Sequence, residues 1–212
     1  MRILLLGKNG QVGWELQRAL GVLGEVVALD RHRADTAYGE LAGDLSDLDS
    51  LRATIRAVAP QVIVNAAAYT AVDKAESERA LAHTVNALAS EVMAQEAKRL
   101  DAWLLHYSTD YVFDGSGQAE WTETDTVAPV NYYGATKLEG EQLIQASGCK
   151  HLIFRTSWVY AARGNNFAKT MLRLAKDRDE LSVIADQTGV PTGADLLADV
   201  AVAALQQALR NP

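Results

Sequence analysis

A glycine-spaced turn near the start of the chain constrains the fold more than any other feature of the sequence. Gly7, Gly10 and Gly13 follow the apolar run Ile3–Leu6 and accompany an amphipathic segment that begins at Gln11. Glycines at this spacing let the backbone turn sharply and approach a pyrophosphate, to which the next helix presents its N-terminal N–H groups. A plain tight turn would use the same residues, but the strand–turn–helix context predicts a dinucleotide-binding α/β domain.

The rest of the chain alternates apolar runs with amphipathic segments, which is typical of a Rossmann-like doubly wound parallel sheet with helices on both faces. The predicted strands are Arg2–Leu6, Glu25–Leu29, Gln61–Asn65, Trp103–Ser108 and His151–Thr156, with a weaker one at 40–43. The predicted helices are Gln11–Leu20, Leu48–Val58, Glu78–Arg99, Tyr132–Ala146 and Phe167–Lys176. We expect residues 1–160 to form the nucleotide-binding domain, and residues 161–212 to form an incomplete small substrate-binding lobe with closing helices.

Composition restricts the compartment and the partners of the chain. Its 212 residues are 49% hydrophobic, enough for a sizeable core, and they carry a formal net charge of −7 without a strongly basic tract. This charge argues against nucleic acid or an anionic membrane as a partner. Cys149 is the only cysteine, so no internal disulfide can form, and the first apolar run is too short for a signal sequence or a membrane span. We expect a cytoplasmic protein.

Residues near the ends of two further strands favour a nucleotide site, because ligands of open α/β sheets bind outside the carboxyl ends of the strands. Asp30 ends the second predicted strand and can accept hydrogen bonds from an adenosine ribose. Arg31 and Arg33 follow it and could meet a 2′-phosphate instead, so NADH and NADPH both remain open. Asp44 and Leu45 come just after the weaker strand, where an adenine edge could be read.

Tyr133 and Lys137 are four residues apart on a predicted helix, so their side chains share one face. A nearby positive charge lowers the pKa of a phenol from its reference value of about 10 and equips it to donate a proton. Tyr132 lacks this partner, because Thr136 lies four positions beyond it. The pair alone would indicate an exposed tyrosine beside a solvated lysine. Together with the glycine turn and Thr109, which follows the fourth long strand, it predicts the transfer of a hydride and a proton.

At these positions the chain resembles the extended short-chain dehydrogenase/reductases. The glycine turn matches the cofactor turn of that family, and Thr109, Tyr133 and Lys137 match its catalytic set. The most specific matches, to the subfamily that reduces a dTDP-linked 4-ketosugar, are the stretches 10–16, 64–76, 107–115 and 155–169. The resemblance covers essentially the whole chain. It implies that NADPH or NADH reduces the 4-keto group of dTDP-4-dehydro-L-rhamnose to give dTDP-L-rhamnose, for cell-surface polysaccharide biosynthesis.

The same resemblance implies roles for individual residues. Tyr133 would donate the proton, Lys137 would hold the nicotinamide ribose and lower the tyrosine pKa, and Thr109 would hydrogen-bond the substrate oxygen. Asp110 and Trp158 would contact the sugar, since an aromatic face packs well on the apolar side of a sugar. The residues implied for the cofactor site, besides the tyrosine and the lysine, are Gly7, Gly10, Gln11, Val12, Gly13, Asp30, Asp44, Leu45, Ala66, Ala67, Ala68 and Tyr107.

The residues that follow Thr109 distinguish between activities found in the same superfamily. Sugar-nucleotide dehydratases place an Asp-Glu pair directly after the threonine, whereas Asp110 and Tyr111 follow it here, which favours a reductase. A reductase of another nucleotide-linked 4-ketosugar remains open, because the catalytic residues do not set substrate specificity. A non-catalytic dinucleotide-binding regulator remains open too, although an intact proton-donor set argues against it.

The resemblance also implies features that the residues themselves do not place. Relatives of this subfamily run longer, so we expect a complete cofactor site, a partly formed pocket for the dTDP moiety and weak or absent turnover by this chain. A homodimer and Mg²⁺ are expected by resemblance only, and no metal ligands are assigned. Glu76 and Glu78 are interpreted as the solvated start of a helix. The histidines are interpreted as packing or surface residues: His32, His83, His106 and His151.

Overall fold

Five parallel strands form the central sheet of the computed structural model, which describes residues 1–210. In chain order the elements are β1 (Arg2–Leu6), α1 (Gln11–Leu20), β2 (Glu25–Leu29), β3 (Ala34–Thr36), β4 (Gly39–Leu41), α2 (Leu48–Val58), β5 (Val62–Asn65), α3 (Val72–Ala75), α4 (Arg79–His83), a π-helical turn (Thr84–Leu88), α5 (Ala89–Leu100), β6 (Trp103–Thr109), a 3-10 turn (Asp110–Val112), α6 (Tyr132–Ser147), β7 (Lys150–Thr156), β8 (Val159–Tyr160), α7 (Phe167–Leu174), β9 (Thr192–Gly193) and α8 (Ala194–Arg210).

The sheet has the strand order β2-β1-β5-β6-β7. The chain leaves β1 toward β2 and later returns to the opposite side of β1 as β5, so the strand order reverses between β1 and β5. Leu5, for example, lies between Ala28 on one side and Val64 on the other. The residues Ile3–Leu6 are fully buried because helices cover both faces of the sheet. The predicted doubly wound fold is confirmed.

Different helices cover the two faces of the sheet. One face packs against α2 and α5, and the other packs against α1 and α8. Helix α8 buries Ala198, Ala201 and Leu205, at helical spacing, in the same core as Leu16 and Leu20 of α1. The expected division of the chain at residue 160 stays a prediction, but α8 is one of the layers that enclose the sheet.

Two predicted elements are present but differ in detail. The weak strand predicted at 40–43 is observed as β4 (Gly39–Leu41), and within residues 1–210 it pairs with β3 in an antiparallel hairpin separate from the central sheet. The predicted helix Glu78–Arg99 is divided by the π-helical turn. Within that turn the Asn86 side chain accepts a hydrogen bond from the Tyr69 N–H (2.9 Å) and donates to the Thr136 hydroxyl (3.1 Å). These tertiary bonds override the helical propensity of the alanine-rich segment.

Side-chain caps fix the start of two helices that matter for the site. Asp47 accepts a hydrogen bond from the Ser50 N–H (3.0 Å) at the start of α2. Asn131 accepts one from the Gly134 N–H (2.7 Å) and so fixes the first turn of α6. Since Tyr133 belongs to that turn, the cap also fixes the backbone position from which its side chain extends.

No helix within residues 1–210 combines the length and apolar character needed to cross a membrane.

Candidate active site

A cleft of about 1180 Å³ opens at the carboxyl ends of β1, β5 and β6. We call it the main cleft. The strand order reverses at β1 and β5, and such a reversal leaves a crevice in which ligands of open α/β sheets bind. The turn after β1, the segment after β5 and the first turn of α6 form its walls. The fold therefore places a ligand site where the sequence predicted one.

The glycine turn after β1 forms one wall of the main cleft. Gly7 has a φ of +91°, which favours glycine, and a Cβ there would lie 2.8 Å from the Ala67 backbone nitrogen. Gly10 occupies the N-cap position of α1, and no side chain caps this helix end. The first N–H groups of α1 are thus directed toward the cleft, as an anionic phosphate requires.

Gly13 differs from its two neighbours in the motif. It is buried within α1 and lies outside the lining of the main cleft. A Cβ at this position would collide with the carbonyl oxygen of Gly7. Gly13 therefore shapes the turn by allowing α1 to pack directly on it, and its predicted contact with the cofactor is corrected to an indirect role.

Carboxylates line the end of the cleft that lies toward β2. Asp30 accepts hydrogen bonds from the Asn9 side-chain amide and from the His32 N–H (2.8 Å). Asp44 accepts hydrogen bonds from the N–H (2.9 Å) and the hydroxyl (2.7 Å) of Ser46. These local bonds hold both carboxylates in place at the cleft, where they can accept hydrogen bonds from ribose or base.

The basic residues after Asp30 point in different directions. Arg31 lines the main cleft together with His32. Arg33 instead pairs with Glu40 of β4 (3.6 Å) and lies outside the cleft lining. Of the two arginines considered for a 2′-phosphate, only Arg31 is therefore placed at the cleft.

The cleft brings together all the other residues predicted for the site. Those placed in its lining are Gly7, Gly10, Gln11, Val12, Asp30, Asp44, Leu45, Ala66, Ala67, Ala68, Tyr107, Thr109, Asp110, Tyr133, Lys137 and Trp158. The individual binding roles of these residues stay predictions.

Tyr133 and Thr109 meet at the end of β6. The Thr109 hydroxyl donates a hydrogen bond to the Asp110 carboxylate (3.2 Å) and accepts one from the Tyr111 N–H (3.2 Å). The rings of Tyr111 and Tyr133 pack edge to face, with their centroids 5.7 Å apart. Both contacts restrict the direction of the two hydroxyls that face the cleft.

The pKa of Tyr133 is shifted in the direction opposite to the prediction. Burial raises its pKa above the ordinary value, while hydrogen bonding with Thr109 acts in the lowering direction. Burial likewise raises the pKa of the neighbouring Asp110 carboxyl. Tyr133 therefore keeps its proton at neutral pH, as a proton donor must.

Lys137 is buried with neutral partners. Its Nζ lies 2.7 Å from the Tyr107 carbonyl oxygen and 3.0 Å from Nε2 of His106. Burial lowers the pKa of Lys137 to about 8, and the negative charge of Glu141 opposes this shift. Lys137 is therefore still mostly protonated at pH 7, but it loses its charge at a lower pH than an ordinary lysine.

His106 corrects the interpretation of the histidines as packing or surface residues. It is fully buried in β6, and its Nδ1 lies 3.1 Å from the side-chain nitrogen of Asn65 at the end of β5. Burial, together with the charge of Lys137, lowers the pKa of His106 well below its usual range. A histidine and an asparagine within otherwise apolar strands were the available sequence signal for this contact.

Further residues of the cleft were not predicted. They include Asn9, Tyr69, Thr70, Ser108, Thr156 and Ser157. The hydroxyls of Ser108 and Thr156 are buried and have no hydrogen-bond partner within residues 1–210. Buried hydroxyls normally find a partner, so these two provide polar contacts that a ligand or water in the cleft can satisfy.

Glu76 and Glu78 are exposed at the start of the helical segment, as predicted, and each also accepts a hydrogen bond. Glu76 accepts a hydrogen bond from the Tyr132 N–H (2.7 Å), which supports the first turn of α6. Glu78 accepts one from the Tyr69 hydroxyl (2.6 Å). Within residues 1–210, no group of three or more His, Cys, Asp or Glu side chains is arranged to hold a metal ion.

The residues of the cleft fit a dinucleotide. The uncapped helix end suits a pyrophosphate, two fixed carboxylates suit ribose and base, and small residues after β5 allow close approach of the backbone. The phenol and the threonine hydroxyl then lie at the opposite end of the same cleft. This arrangement can position a dinucleotide beside a group that supplies a proton.

Comparisons with known proteins agree with this arrangement. The family model described as RmlD substrate binding domain matches residues 1–212. The chain is 58% identical to dTDP-4-dehydrorhamnose reductase of Escherichia coli K12, over the whole chain and 69% of that relative.

Solved structures show the same similarity. A dTDP-4-dehydrorhamnose reductase from Clostridium acetobutylicum is 40% identical, with a TM-score of 0.89 over 98% of this chain and 71% of that one. A dTDP-4-dehydrorhamnose reductase from Bacillus anthracis, solved in complex with NADP, is 37% identical, also with a TM-score of 0.89 and the same coverage of both chains.

Proposed function

The chain belongs to the dTDP-4-dehydrorhamnose reductase family, and we propose that it reduces the 4-keto group of dTDP-4-dehydro-L-rhamnose to give dTDP-L-rhamnose. The observation that carries this proposal is the position of the Thr109 and Tyr133 hydroxyls at one end of a cleft whose other end suits a dinucleotide. The relative solved with NADP supports a nicotinamide dinucleotide as the cofactor. NADPH and NADH both fit the carboxylates and Arg31 at the β2 end.

The reaction adds a hydride to carbon 4 of the sugar and a proton to its oxygen. Reduced nicotinamide supplies the hydride when it is bound. Negative charge then builds on the former carbonyl oxygen, and the hydroxyls of Thr109 and Tyr133 stabilise it by donating hydrogen bonds. Tyr133 transfers its proton to this oxygen, which completes the alcohol. A tyrosine whose pKa is raised keeps that proton until the oxyanion forms.

The substrate side of the proposal rests on Asp110 and Trp158. Asp110 follows Thr109 and lines the cleft, so its carboxyl can hydrogen-bond a sugar hydroxyl. Trp158 has a φ of +45°, a conformation that few non-glycine residues adopt, and the residue, which lines the cleft, is 46% exposed. Strained backbone often occurs at functional sites, and an exposed indole face suits the apolar side of a sugar.

The test compares two adjacent tyrosines of α6. Tyr133→Phe removes the phenol at the cleft, whereas Tyr132→Phe removes one whose ring packs against Arg79 at 4.7 Å. Hydride transfer is followed with excess protein over dTDP-4-dehydro-L-rhamnose, so that slow turnover is detected. We expect Y133F to slow transfer by about 10² to 10⁴-fold and Y132F to leave it nearly unchanged. Calorimetric titration with NADPH and NADH should give similar affinities for both variants.

Two outcomes would contradict the proposal. Equal hydride transfer by wild-type protein and Y133F would remove Tyr133 from the chemistry. Faster transfer to another nucleotide-linked 4-ketosugar than to dTDP-4-dehydro-L-rhamnose would assign a different substrate to the same residues. We also propose a homodimer from the family resemblance, which sedimentation of the protein at several concentrations can test.

A further inference from the structure

A buried chain of hydrogen bonds extends behind Lys137, away from the mouth of the cleft. The Ala67 N–H donates to Asn65 Oδ1 (3.1 Å), and Asn65 Nδ2 lies 3.1 Å from His106 Nδ1. His106 Nε2 in turn lies 3.0 Å from Lys137 Nζ. The side chains of the last three residues are almost completely buried. The positions of the protons on these side chains are therefore determined by contacts within the protein, without bulk water.

The first bond of this chain fixes the others. A backbone N–H can only donate, so the side-chain oxygen of Asn65 must face Ala67 and its NH₂ group must face His106. The NH₂ group also can only donate, which requires an unprotonated Nδ1 on His106. A neutral His106 then carries its proton on Nε2, the atom that faces Lys137. The tautomer thus follows from a backbone contact two residues beyond Asn65.

This tautomer favours an uncharged Lys137. A neutral amine can accept a hydrogen bond from Nε2–H and donate one to the Tyr107 carbonyl, whereas an ammonium group has no lone pair with which to accept. Moving the histidine proton to Nδ1 would help the ammonium but would set Nδ1–H against the NH₂ group of Asn65. Turning the Asn65 amide would only move that conflict to the Ala67 N–H.

We propose that Asn65 and His106 are positioning residues that weaken the hold of Lys137 on its proton, so that the lysine exchanges it during turnover. The relevance of this exchange to catalysis rests on the proposed function. Lys137 would give its proton to the phenolate left on Tyr133 after the phenol has protonated the product oxygen, and the neutral amine would recover a proton from water in the main cleft, whose lining includes both residues. The lowered pKa of Lys137, about 8, agrees with this arrangement.

The other charged and titratable groups around Lys137 do not account for the effect. Glu141, one turn along α6, favours the charged lysine, but it forms a buried ion pair with Arg155 of β7 (2.6 Å). Tyr133 on the same helix and His106 on β6 are uncharged when Lys137 titrates. The contact between His106 Nε2 and Lys137 Nζ therefore remains the one through which a substitution can shift the lysine titration.

The tautomer is tested on the unaltered protein. Nitrogen-15 NMR distinguishes a protonated from an unprotonated imidazole nitrogen. We expect the His106 proton on Nε2 at pH 7, and a proton on Nδ1 would overturn the proposal. This measurement needs no substrate and no variant, so it also holds if a substitution in the buried strand prevents folding.

A substitution tests the influence on Lys137. His106→Gln replaces Nε2–H with an amide that can rotate its oxygen toward the ammonium group. We expect the Lys137 titration, followed by carbon-13 NMR of its Cε, to move upward by about one pH unit, the effect of one hydrogen bond to a charged group. His151→Gln is the matched control, because His151 lies on β7 and bonds to the Cys149 carbonyl (2.9 Å). An unchanged titration in H106Q would overturn the proposal.

Kinetics separate this inference from the proposed function. Hydride transfer should decline at alkaline pH, and in H106Q the midpoint of that decline should move upward with the Lys137 titration. A shifted lysine titration with an unshifted decline would overturn the link to catalysis. Absence of hydride transfer in the wild-type protein would contradict the proposed function, while the two NMR measurements would still decide whether His106 controls Lys137.

Discussion

Two buried charged side chains, Glu96 and Lys137, have opposite surroundings in this molecule. Each is only 1% exposed. Glu96 on α5 is bound by Arg56 of α2 (2.7 Å), Arg52 of α2 (3.1 Å) and Arg99 of its own helix (2.7 Å). Lys137 on α6 contacts a carbonyl oxygen and a neutral imidazole instead. One charge is surrounded by opposite charges and the other is not.

The pKa values reflect this difference. Burial raises the pKa of Glu96, but the hydrogen bonds from Arg56, Arg99 and Arg52 together lower it to about 2. Burial lowers the pKa of Lys137 to about 8, although Glu141 opposes the shift. A fully paired charge joins two helices and stays charged, whereas an unpaired one titrates near neutral pH. The comparison indicates that Glu96 serves the fold and that Lys137 serves chemistry.

Replacing Lys137 should give the largest effect on activity and almost none on stability. In Lys137→Met the burial of a charge is relieved while two hydrogen bonds are lost, so we expect the free energy of unfolding to change by less than about 1 kcal/mol. Hydride transfer should fall by about a thousandfold, as for the loss of a proton-transfer group. Urea unfolding and a single-turnover assay measure the two quantities. A large loss of stability would make Lys137 a structural residue like Glu96.

Replacing Glu96 should do the reverse. Glu96→Gln leaves three arginines without their shared carboxylate, and we expect the free energy of unfolding to fall by about 3 kcal/mol at pH 7. Glu91→Gln on the exposed side of α5 is the control, with a change of less than about 0.5 kcal/mol. Hydride transfer per folded molecule should be the same in both variants. A loss of activity that exceeds the loss of folded protein would contradict a purely structural role for Glu96.

The pH dependence of stability should separate Lys137 from the rest of the protein in the alkaline range. Its folded pKa of about 8 is below the ordinary lysine pKa of 10.5, so the unfolded chain binds more protons between these values. Stability contributed by this group therefore rises with pH across that window, by about 2 kcal/mol between pH 8 and 9.5. Unfolding curves of the wild type and K137M at both pH values should diverge by this amount. Parallel curves would show that Lys137 titrates normally.

Replacing the helix caps Asp47 and Asn131 should give the smallest effects on stability and activity. Asp47→Ala and Asn131→Ala each remove one capping hydrogen bond, so each should lower the free energy of unfolding by about 1 kcal/mol. Only Asn131 precedes the helix that carries Tyr133 and Lys137, so N131A should also slow hydride transfer by several-fold. Thermal unfolding and the single-turnover assay distinguish the two variants. Equal activity would show that the α6 start holds its position without the cap.

Local patterns were sufficient to predict most of the sheet and the helices that flank it. Strands β1 and β2 begin and end at the predicted residues, because each is a short run rich in apolar residues that turn residues bound. The glycine turn could be located because its backbone conformation depends on a few adjacent residues. The role of Gly13 could not, since its collision partner is known only once α1 has folded back onto Gly7.

Long-range contacts account for what the sequence did not show. Asn65 and His106 are neighbours because β5 and β6 pair in that register, and their separation of 41 residues gives no local signal. The lowered Tyr133 pKa was predicted from helical spacing alone, whereas burial, which raises it, depends on every element around the cleft. The π-helical turn was missed for a similar reason, because the Asn86 side chain bonds to Tyr69 and Thr136.

The π-helical turn has a consequence for insertions and deletions in this region. A π turn holds one residue more than the α-helix it interrupts, and each α-helical residue rotates the helix by about 100°. Deleting one residue from Thr84–Leu88 would leave an uninterrupted α-helix, yet it would swing Arg79–His83 around the axis and break the contact of His83 with Glu139 (3.0 Å). A more regular helix would thus lose its contact with α6. The number of residues in this segment is therefore set by the alignment of α4 with α6.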